Sequence, residues 1–158
     1  MSPRLENKIA LVTGAGSGIG EAIAKRFARE GALVYATDLD GASASRVVDE
    51  IIAAGGRAEA RTQDVTDASA WNAVIEEILA SHGALDVLVN NAGIVIPGTV
   101  EDATLEDWRT TQAVNGESVF LGTQRAIAAM RERGGSIINI SSIEGIVGEP
   151  KTAAYNYS

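Results

Sequence analysis

Four glycines fall within seven residues near the start of the chain, in the segment Thr13-Gly14-Ala15-Gly16-Ser17-Gly18-Ile19-Gly20. A short apolar run precedes this segment, and a stretch of helical periodicity follows it. A glycine-rich turn between a strand and a helix presents backbone N–H groups and the positive end of the helix to a ligand, which suits a pyrophosphate. The sequence therefore predicts a phosphate-binding turn, with a tight turn that binds no ligand as the alternative.

The glycines are spaced as T-G-x-x-x-G-x-G, and the common dinucleotide-binding pattern G-x-G-x-x-G is not met. That pattern would need glycine at position 19 or 21, where Ile19 and Glu21 stand. In the observed spacing Gly14 suits a tight turn, Gly18 suits close approach of the backbone to a phosphate, and Gly20 suits close packing of helix on strand. The turn is thus predicted to hold a dinucleotide despite the different spacing.

An acidic residue, Asp38, ends the next apolar run, 18 residues after Gly20. A carboxylate at this point accepts hydrogen bonds from the adenosine ribose hydroxyls and repels a 2′-phosphate. Leu39 follows it, and the glycine turn contains no Arg or Lys that could pair with such a phosphate. The predicted cofactor is therefore NAD. Taken alone, an aspartate such as Asp38 is more often a solvated turn or cap residue, and its position at the end of the second predicted strand is what favours the ribose role.

The elements that must position these residues alternate between short apolar runs and longer stretches of helical periodicity. This alternation predicts an α/β fold, a Rossmann-type doubly wound parallel sheet with strand order 3-2-1-4-5. Helices are predicted over 19–29, over 43–54, from Asp67 onward, and over 104–131, the last opened by Thr104 with Asp107 three residues on. The predicted strands are residues 9–13, 33–37, 57–62, 85–90 and 136–140.

The composition bounds the classes of function. With 158 residues, of which 46% are hydrophobic and 22% charged, residues 1–158 are predicted to form a single domain. The net charge is −8, without a basic stripe, so nucleic acid is not an expected partner. The chain has no cysteine and one histidine, His82, so no metal site is expected. No apolar run approaches the roughly 20 residues of a spanning helix, so we expect no membrane partner and a cytoplasmic location.

Several motifs together resemble the short-chain dehydrogenase/reductase family. Besides the glycine turn and Asp38, they are Asp64-Val65, Asn90-Asn91-Ala92-Gly93, and Asn139-Ile140-Ser141-Ser142 followed by Tyr155. They occur in the family's order along the whole chain. The resemblance implies that the adenine amino group is bound by Asp64 and that NAD is contacted by Gly14, Ser17, Gly18, Ile19, Gly20, Asp38, Leu39, Asp64, Val65, Asn91, Ala92, Gly93 and Tyr155.

The resemblance also implies an oxidoreductase that passes a hydride between NAD and a secondary alcohol or ketone, a small-molecule substrate. The family's serine precedes its catalytic tyrosine by 13 residues, as Ser142 precedes Tyr155, so Tyr155 is assigned in preference to Tyr157. Ser142 would hydrogen-bond the substrate oxygen, and Asn115 would anchor a water of the proton relay. In the plainer alternative, the serine merely ends a strand and Asn115 is a polar residue that bends the long helix.

The family's lysine stands four residues after the tyrosine and would fall directly after Ser158. We therefore expect the sequence to be C-terminally incomplete, without the family's last strands and most of its substrate loops, and with the fifth strand at a sheet edge. The alternative is a truncated, catalytically inactive NAD-binding fragment. The resemblance further implies a homo-oligomer, a tetramer or dimer, that pairs partly through helix 104–131.

Overall fold

A computed structural model describes residues 3–158. It contains a five-stranded parallel sheet in the order β3-β2-β1-β4-β5, which confirms the predicted fold class and strand order. Each crossover brings the carboxyl ends of the strands to one edge of the sheet, where ligands bind in open α/β sheets. The strands are β1 (Ile9–Thr13), β2 (Leu33–Asp38), β3 (Arg57–Thr62), β4 (Val87–Asn90) and β5 (Ser136–Asn139).

Helices cover both faces of the sheet. Their bounds are α1 (Gly18–Arg29), α2 (Gly41–Ala53), α3 (Ala68–His82), α4 (Leu105–Gln112), α5 (Ser118–Met130) and the short α6 (Ala153–Asn156). One apolar cluster joins α1 and α2 to the sheet, and a second joins α3 and α5 to its other face. Because both faces are covered, the inner strands carry continuous apolar runs in place of alternating ones, and all four residues of β4 are buried.

Local signals explain where the helices begin and end. Asp40 and Asp67 accept hydrogen bonds from the backbone N–H groups two residues on, and so cap α2 and α3. Thr104 and Asp107 form the reciprocal capping box predicted for the long helix. Gly83 ends α3 in the left-handed conformation, with φ of 71°. These caps satisfy backbone groups that the helices themselves leave unpaired.

The predicted helix over 104–131 is interrupted. Residues Ala113–Glu117 form a π-helical segment between α4 and α5, so the region is not one regular helix. Asn115 lies in this segment, and its side chain bonds the main chain of a neighbouring loop. The other corrections are small: β2 extends by one residue to Asp38, β4 begins at Val87 and not at residue 85, and β5 ends one residue early at Asn139.

Candidate active site

The glycine turn follows β1 directly and leads into α1. Gly14 and Gly18 have φ of 61° and 56°, a left-handed conformation that favours glycine. A Cβ at Gly14 would lie 2.9 Å from the Cα of Ala92, so this turn is pressed against the segment after β4. A Cβ at Gly18 would meet nothing within 4 Å. The backbone at Gly18 therefore faces open space, as a close approach to a ligand requires.

The segment after β4 fixes the turn to the sheet. Asn91 donates from Nδ2 to the carbonyl oxygens of Thr13 and Gly14, at 2.9 and 3.2 Å. In return, Thr13 Oγ1 accepts from the backbone N–H groups of Asn91 and Ala92, both at 3.1 Å. Thr13 is buried and was not among the predicted site residues. This reciprocal pairing holds the glycine turn and the Asn91–Gly93 segment as one unit.

Asp38 is the last residue of β2 and reaches the glycine turn. Its Oδ2 accepts from the backbone N–H of Gly16 at 2.9 Å, and its Oδ1 accepts from that of Asp40 at 3.0 Å. An ionised carboxylate has about four acceptor positions, so two remain for other donors. The geometry of Asp38 is therefore compatible with both hypotheses, that it stabilises the local turn and that it binds ribose hydroxyls.

Asp64 and Val65 follow β3. Asp64 Oδ1 accepts from the backbone N–H and the hydroxyl of Thr66, at 2.9 and 2.7 Å, which fixes the local turn and leaves the second carboxylate oxygen to solvent. The Val65 carbonyl accepts from the indole N–H of Trp71 at 2.8 Å, so the strand end is tied to the first turn of α3. The two predicted adenine-contacting residues are thereby held at the carboxyl edge of the sheet.

A cavity of about 410 Å³, here called the turn cavity, lies between these segments. The structure brings together around it every residue that the sequence assigned to the cofactor except Gly20 and Tyr155. Gly20 is buried against Gly14, and Tyr155 faces a neighbouring cavity. The lining residues in common with the prediction are Gly14, Ser17, Gly18, Ile19, Asp38, Leu39, Asp64, Val65, Asn91, Ala92 and Gly93.

A second cavity of about 510 Å³, here called the serine–tyrosine cavity, adjoins the first. Ser142, Tyr155 and Asn115, the three predicted catalytic residues, all line it. The two cavities lie side by side, and five residues line both: Ile19, Asn91, Ala92, Gly93 and Ile94. An elongated ligand that lay in the turn cavity could therefore extend to Ser142 and Tyr155.

Asn115 joins three segments of the second cavity. Its Oδ1 accepts from the backbone N–H of Ile94, and its Nδ2 donates to the carbonyl of the same residue, both at 2.9 Å. Nδ2 also donates to Ser158 Oγ at 2.9 Å. This amide lies in the π-helical segment, a type of irregularity that is frequent at functional sites. These contacts give Asn115 a structural role, since its side chain connects the π-helical segment to Ile94 and to Ser158.

Ser142 also has a visible structural contact. Its Oγ accepts from the backbone N–H of Glu144 at 3.2 Å and so caps a single 3₁₀ turn, Ile143–Gly145. Its hydroxyl hydrogen is not used in that contact, since the oxygen acts as acceptor. Ser142 and Tyr155 are both half-buried at the cavity wall. The serine can therefore still donate to an oxygen atom in the cavity.

The two loops beside this cavity are joined. Gly98 donates from its backbone N–H to the carbonyl of Lys151 at 2.7 Å, and Ala153 donates to the carbonyl of Gly98 at 3.0 Å. Lys151 adopts a left-handed conformation with φ of 67° to make this connection. The loop after β4 and the loop before α6 are thus bonded to each other, a contact that their separation along the sequence does not reveal.

An ionic cluster that the sequence analysis missed lies beside the glycine turn, between α1 and α2. Arg46 donates to Gly16 O at 2.9 Å and to carboxylate oxygens of Glu21 and Glu50, both at 2.7 Å. Lys25 pairs with the same two carboxylates. Hydrogen bonds from Arg46 and Lys25 lower the pKa of the Glu21 carboxyl to about 2, so it is ionised at neutral pH.

Over residues 3–158, no group of acidic or histidine side chains is arranged to hold a metal ion. Within the same range, no helix is long and apolar enough to cross a membrane.

Comparison with known proteins gives a consistent result. Residues 8–158 match the family model described as short chain dehydrogenase. The chain is 47% identical over 156 residues to the 2,5-dichloro-2,5-cyclohexadiene-1,4-diol dehydrogenase LinX of Sphingobium indicum, and 42% identical over 156 residues to the cyclopentanol dehydrogenase of Comamonas testosteroni. In both cases the alignment covers 98% of this chain and 62% of the relative, so the chain spans less than two thirds of their length.

The fold agrees with a solved relative. The crystal structure of a short chain dehydrogenase from Mycobacterium smegmatis superposes with a TM-score of 0.93 at 36% sequence identity. The superposition covers 98% of this chain and 66% of the other. The described sheet and helices therefore correspond to most of that structure.

Proposed function

The chain belongs to the short-chain dehydrogenase family, and from this premise we propose that the protein is an NAD-dependent oxidoreductase acting on a secondary alcohol or ketone. The observation that carries the proposal is that the two cavities adjoin and share five lining residues. One is lined by a glycine turn and an acidic strand end, and the other by Ser142 and Tyr155. A dinucleotide is a ligand long enough to span both. In this proposal, residues 1–158 form one nucleotide-binding domain.

The turn cavity suits the pyrophosphate of a dinucleotide. Side chains cap the N-termini of α2, α3 and α4, whereas Ser17, at the N-terminus of α1, makes no such hydrogen bond. The first N–H groups of α1 therefore have no side-chain partner there, and they lie beside the open space at Gly18. An anionic phosphate would supply the missing acceptor and interact favourably with the helix dipole.

Asp38 supports NAD over NADP. Its carboxylate lines the turn cavity and bonds the Gly16 N–H, so a ribose bound against the turn would lie beside it. Ribose hydroxyls can donate to its remaining acceptor positions, whereas a 2′-phosphate would meet a like charge. The names of the two relatives do not say which dinucleotide they use, so this preference rests on Asp38.

The serine–tyrosine cavity suits the chemistry of alcohol oxidation. When bound, the nicotinamide ring would accept or return the hydride. The chain's own part is at the substrate oxygen, where Ser142 would donate a hydrogen bond and the phenol of Tyr155 would exchange the proton. Asn115 would hold the main chain at Ile94 and so fix the wall of the cavity. Because a phenol is a weak acid, a positive charge near Tyr155 would favour the phenolate form that accepts the proton of an alcohol.

The substrate we propose is a secondary alcohol on a carbocyclic ring. Apolar side chains from three segments line the serine–tyrosine cavity: Ile94, Val95, Val119 and Ile140. A hydrocarbon ring would bury against such a wall while its hydroxyl faced Ser142 and Tyr155. The two relatives are named for a cyclohexadienediol and for cyclopentanol, which supports the same substrate class.

We also propose a homo-oligomer. Large apolar side chains are exposed along α4 and α5: Leu105, Trp108, Phe120 and Ile127. Phe120 is 62% exposed, and exposed apolar patches on a protein surface commonly mark interaction sites. A second copy that packed on these helices would cover them. The cytoplasmic location stays a prediction.

The cofactor proposal predicts the effect of replacing Asp38. In Asp38→Asn the side-chain oxygen can still accept from Gly16, but the charge is gone. We expect the ratio of NADP to NAD dissociation constants to fall by at least about tenfold, which corresponds to about 1.4 kcal/mol of lost discrimination. Calorimetric titration of both dinucleotides measures the ratio.

Asp86→Asn is the matched control. Asp86 precedes β4 at the opposite end of the sheet, where its carboxylate accepts from the backbone N–H of Ile9 at 2.9 Å. Its replacement removes the same charge far from the turn cavity and should leave the ratio unchanged. Equal ratios in Asp38→Asn and the unaltered protein would refute the role of Asp38. Failure of the unaltered protein to bind either dinucleotide would refute the proposed function itself.

A further inference from the structure

Gly16 is held from both sides by side chains. Its backbone N–H donates to Asp38 Oδ2, and its carbonyl accepts from Arg46 Nη2, each at 2.9 Å. Arg46 stands on α2, 30 residues further along the chain. The guanidinium is itself fixed by Glu21 on α1 and Glu50 on α2. The planar guanidinium of Arg46 carries several N–H donors, so it can bond the Gly16 carbonyl and both carboxylates at once. The ammonium group of a lysine is less well suited to this arrangement.

The bond to the Gly16 carbonyl determines where the next N–H points. The Gly16 carbonyl and the Ser17 N–H belong to one peptide group, and over residues 3–158 no peptide bond is cis. In a planar trans peptide these two groups point in opposite directions. Because Arg46 draws the carbonyl toward α2, the Ser17 N–H points away from α2. Ser17 itself lines the turn cavity.

This orientation matters because glycine resists rotation of a peptide plane less than other residues. If the 16–17 peptide turned over, it would present a carbonyl oxygen in place of an N–H donor. A carbonyl oxygen repels an anionic ligand, whereas an N–H binds it. The rotation would also change φ of Ser17, which is −157°, and the Cβ of Ser17 opposes a positive φ, so the turn itself resists the rotation through one residue. Arg46 is the group in the structure that holds the carbonyl.

We propose that Arg46 is a positioning residue for the cofactor: it fixes the Gly16–Ser17 peptide so that its N–H, and not its carbonyl, faces the ribose-phosphate end of the dinucleotide. The inference rests on the proposed function, since it concerns the same cavity. Glu21 and Glu50 orient the guanidinium and balance its charge. Arg46 therefore does not bind the anionic ligand through its own charge.

The test is the binding of ADP-ribose, which carries the adenosine, ribose and pyrophosphate parts but no nicotinamide. In Arg46→Met, which keeps much of the length of the side chain but removes its donors, we expect the dissociation constant for ADP-ribose to rise by about tenfold. Arg46→Lys keeps one donor that can reach Gly16 O and should recover part of the affinity. In a dehydrogenase assay, the KM for NAD should rise in Arg46→Met while kcat changes little, because the nicotinamide end is undisturbed.

Lys25→Met separates this role from that of the ionic cluster. Lys25 pairs with the same two carboxylates as Arg46, at 2.5 Å each, but it has no bond to the turn. Its loss weakens the connection between α1 and α2 without releasing the Gly16 carbonyl. We expect Lys25→Met to bind ADP-ribose as the unaltered protein does, even where its melting temperature falls as much as that of Arg46→Met.

Two results would overturn the inference while leaving the proposed function intact: unchanged ADP-ribose affinity in Arg46→Met, or an equal loss in Lys25→Met. Absence of ADP-ribose binding by the unaltered protein would remove the inference and the proposed function together. The titration is carried out on each variant after its fold has been checked by circular dichroism, so that a loss of affinity is read only from folded protein.

Discussion

Replacing Tyr155 by phenylalanine should reduce turnover of a secondary alcohol by about 10²- to 10⁴-fold, the range typical for loss of a general acid–base group. The variant lacks only the phenolic oxygen, and its ring still fills the wall of the serine–tyrosine cavity. The turn cavity does not include this residue. We therefore expect the dissociation constant for ADP-ribose to change by less than about threefold. This is a smaller change in binding free energy than the roughly 1.4 kcal/mol of a tenfold change.

Tyr157→Phe is the control for this experiment. Tyr157 lies two residues further on, is 75% exposed, and belongs to a separate groove beside Trp108 and Leu105. Removing its hydroxyl is the same chemical change outside the proposed site. Steady-state rates of NADH formation measured for both variants in the complete enzyme distinguish the two tyrosines. Normal turnover by Tyr155→Phe would contradict its assigned role, and loss of turnover in Tyr157→Phe alone would transfer that role to Tyr157.

The fold and much of the turn cavity could be predicted because their signals are local. The glycine spacing from Gly14 to Gly20 lies within one strand–turn–helix unit, and the apolar run of β2 ends at Asp38. Parallel strands then bring such strand ends to one edge of the sheet whatever the loops do. The assignment of Asp64 and Val65 followed instead from the resemblance to the short-chain dehydrogenase/reductase family. Their hydrogen bonds to Thr66 and Trp71 could not be predicted, because those bonds depend on how the chain turns between β3 and α3.

The contacts that cross between elements could not be predicted in this way. Arg46 lies within α2 and pairs with Glu50 four residues on, which in the sequence is an ordinary helix-surface pair. Its bond to Gly16 O depends on the packing of α2 beside α1, and no spacing encodes it. The π-helical segment likewise contains a residue, Asn115, that bonds a loop distant in the sequence. The sequence predicted a continuous helix, whereas the hydrogen bonds of Asn115 to Ile94 are satisfied within an irregular turn.

A methyl group at Gly20 tests the close packing on which the glycine turn depends. A Cβ built there would lie far inside van der Waals contact with the carbonyl oxygen of Gly14 and 2.5 Å from Nδ2 of Asn91. Those atoms belong to the turn backbone and to the amide that fixes it, so neither can move without displacing the turn. In a helix, alanine is more favourable than glycine by about 1 kcal/mol. Overpacking of a tight site, however, costs about 1–3 kcal/mol of stability. Gly20→Ala should therefore lower the free energy of unfolding and abolish measurable ADP-ribose binding.

Gly116→Ala provides the comparison for stability. Gly116 is also helical, and a Cβ there would meet nothing closer than 3.9 Å, the Oε1 of Gln112. The same substitution should leave the free energy of unfolding unchanged or raise it, because the methyl group meets no clash and alanine restricts the unfolded chain more than glycine does. Urea denaturation of both variants measures the difference. Equal stability in Gly20→Ala and the unaltered protein, with ADP-ribose affinity retained, would show that the turn can shift away from α1 at no cost. In that case a glycine at position 20 would not be required for the shape of the site.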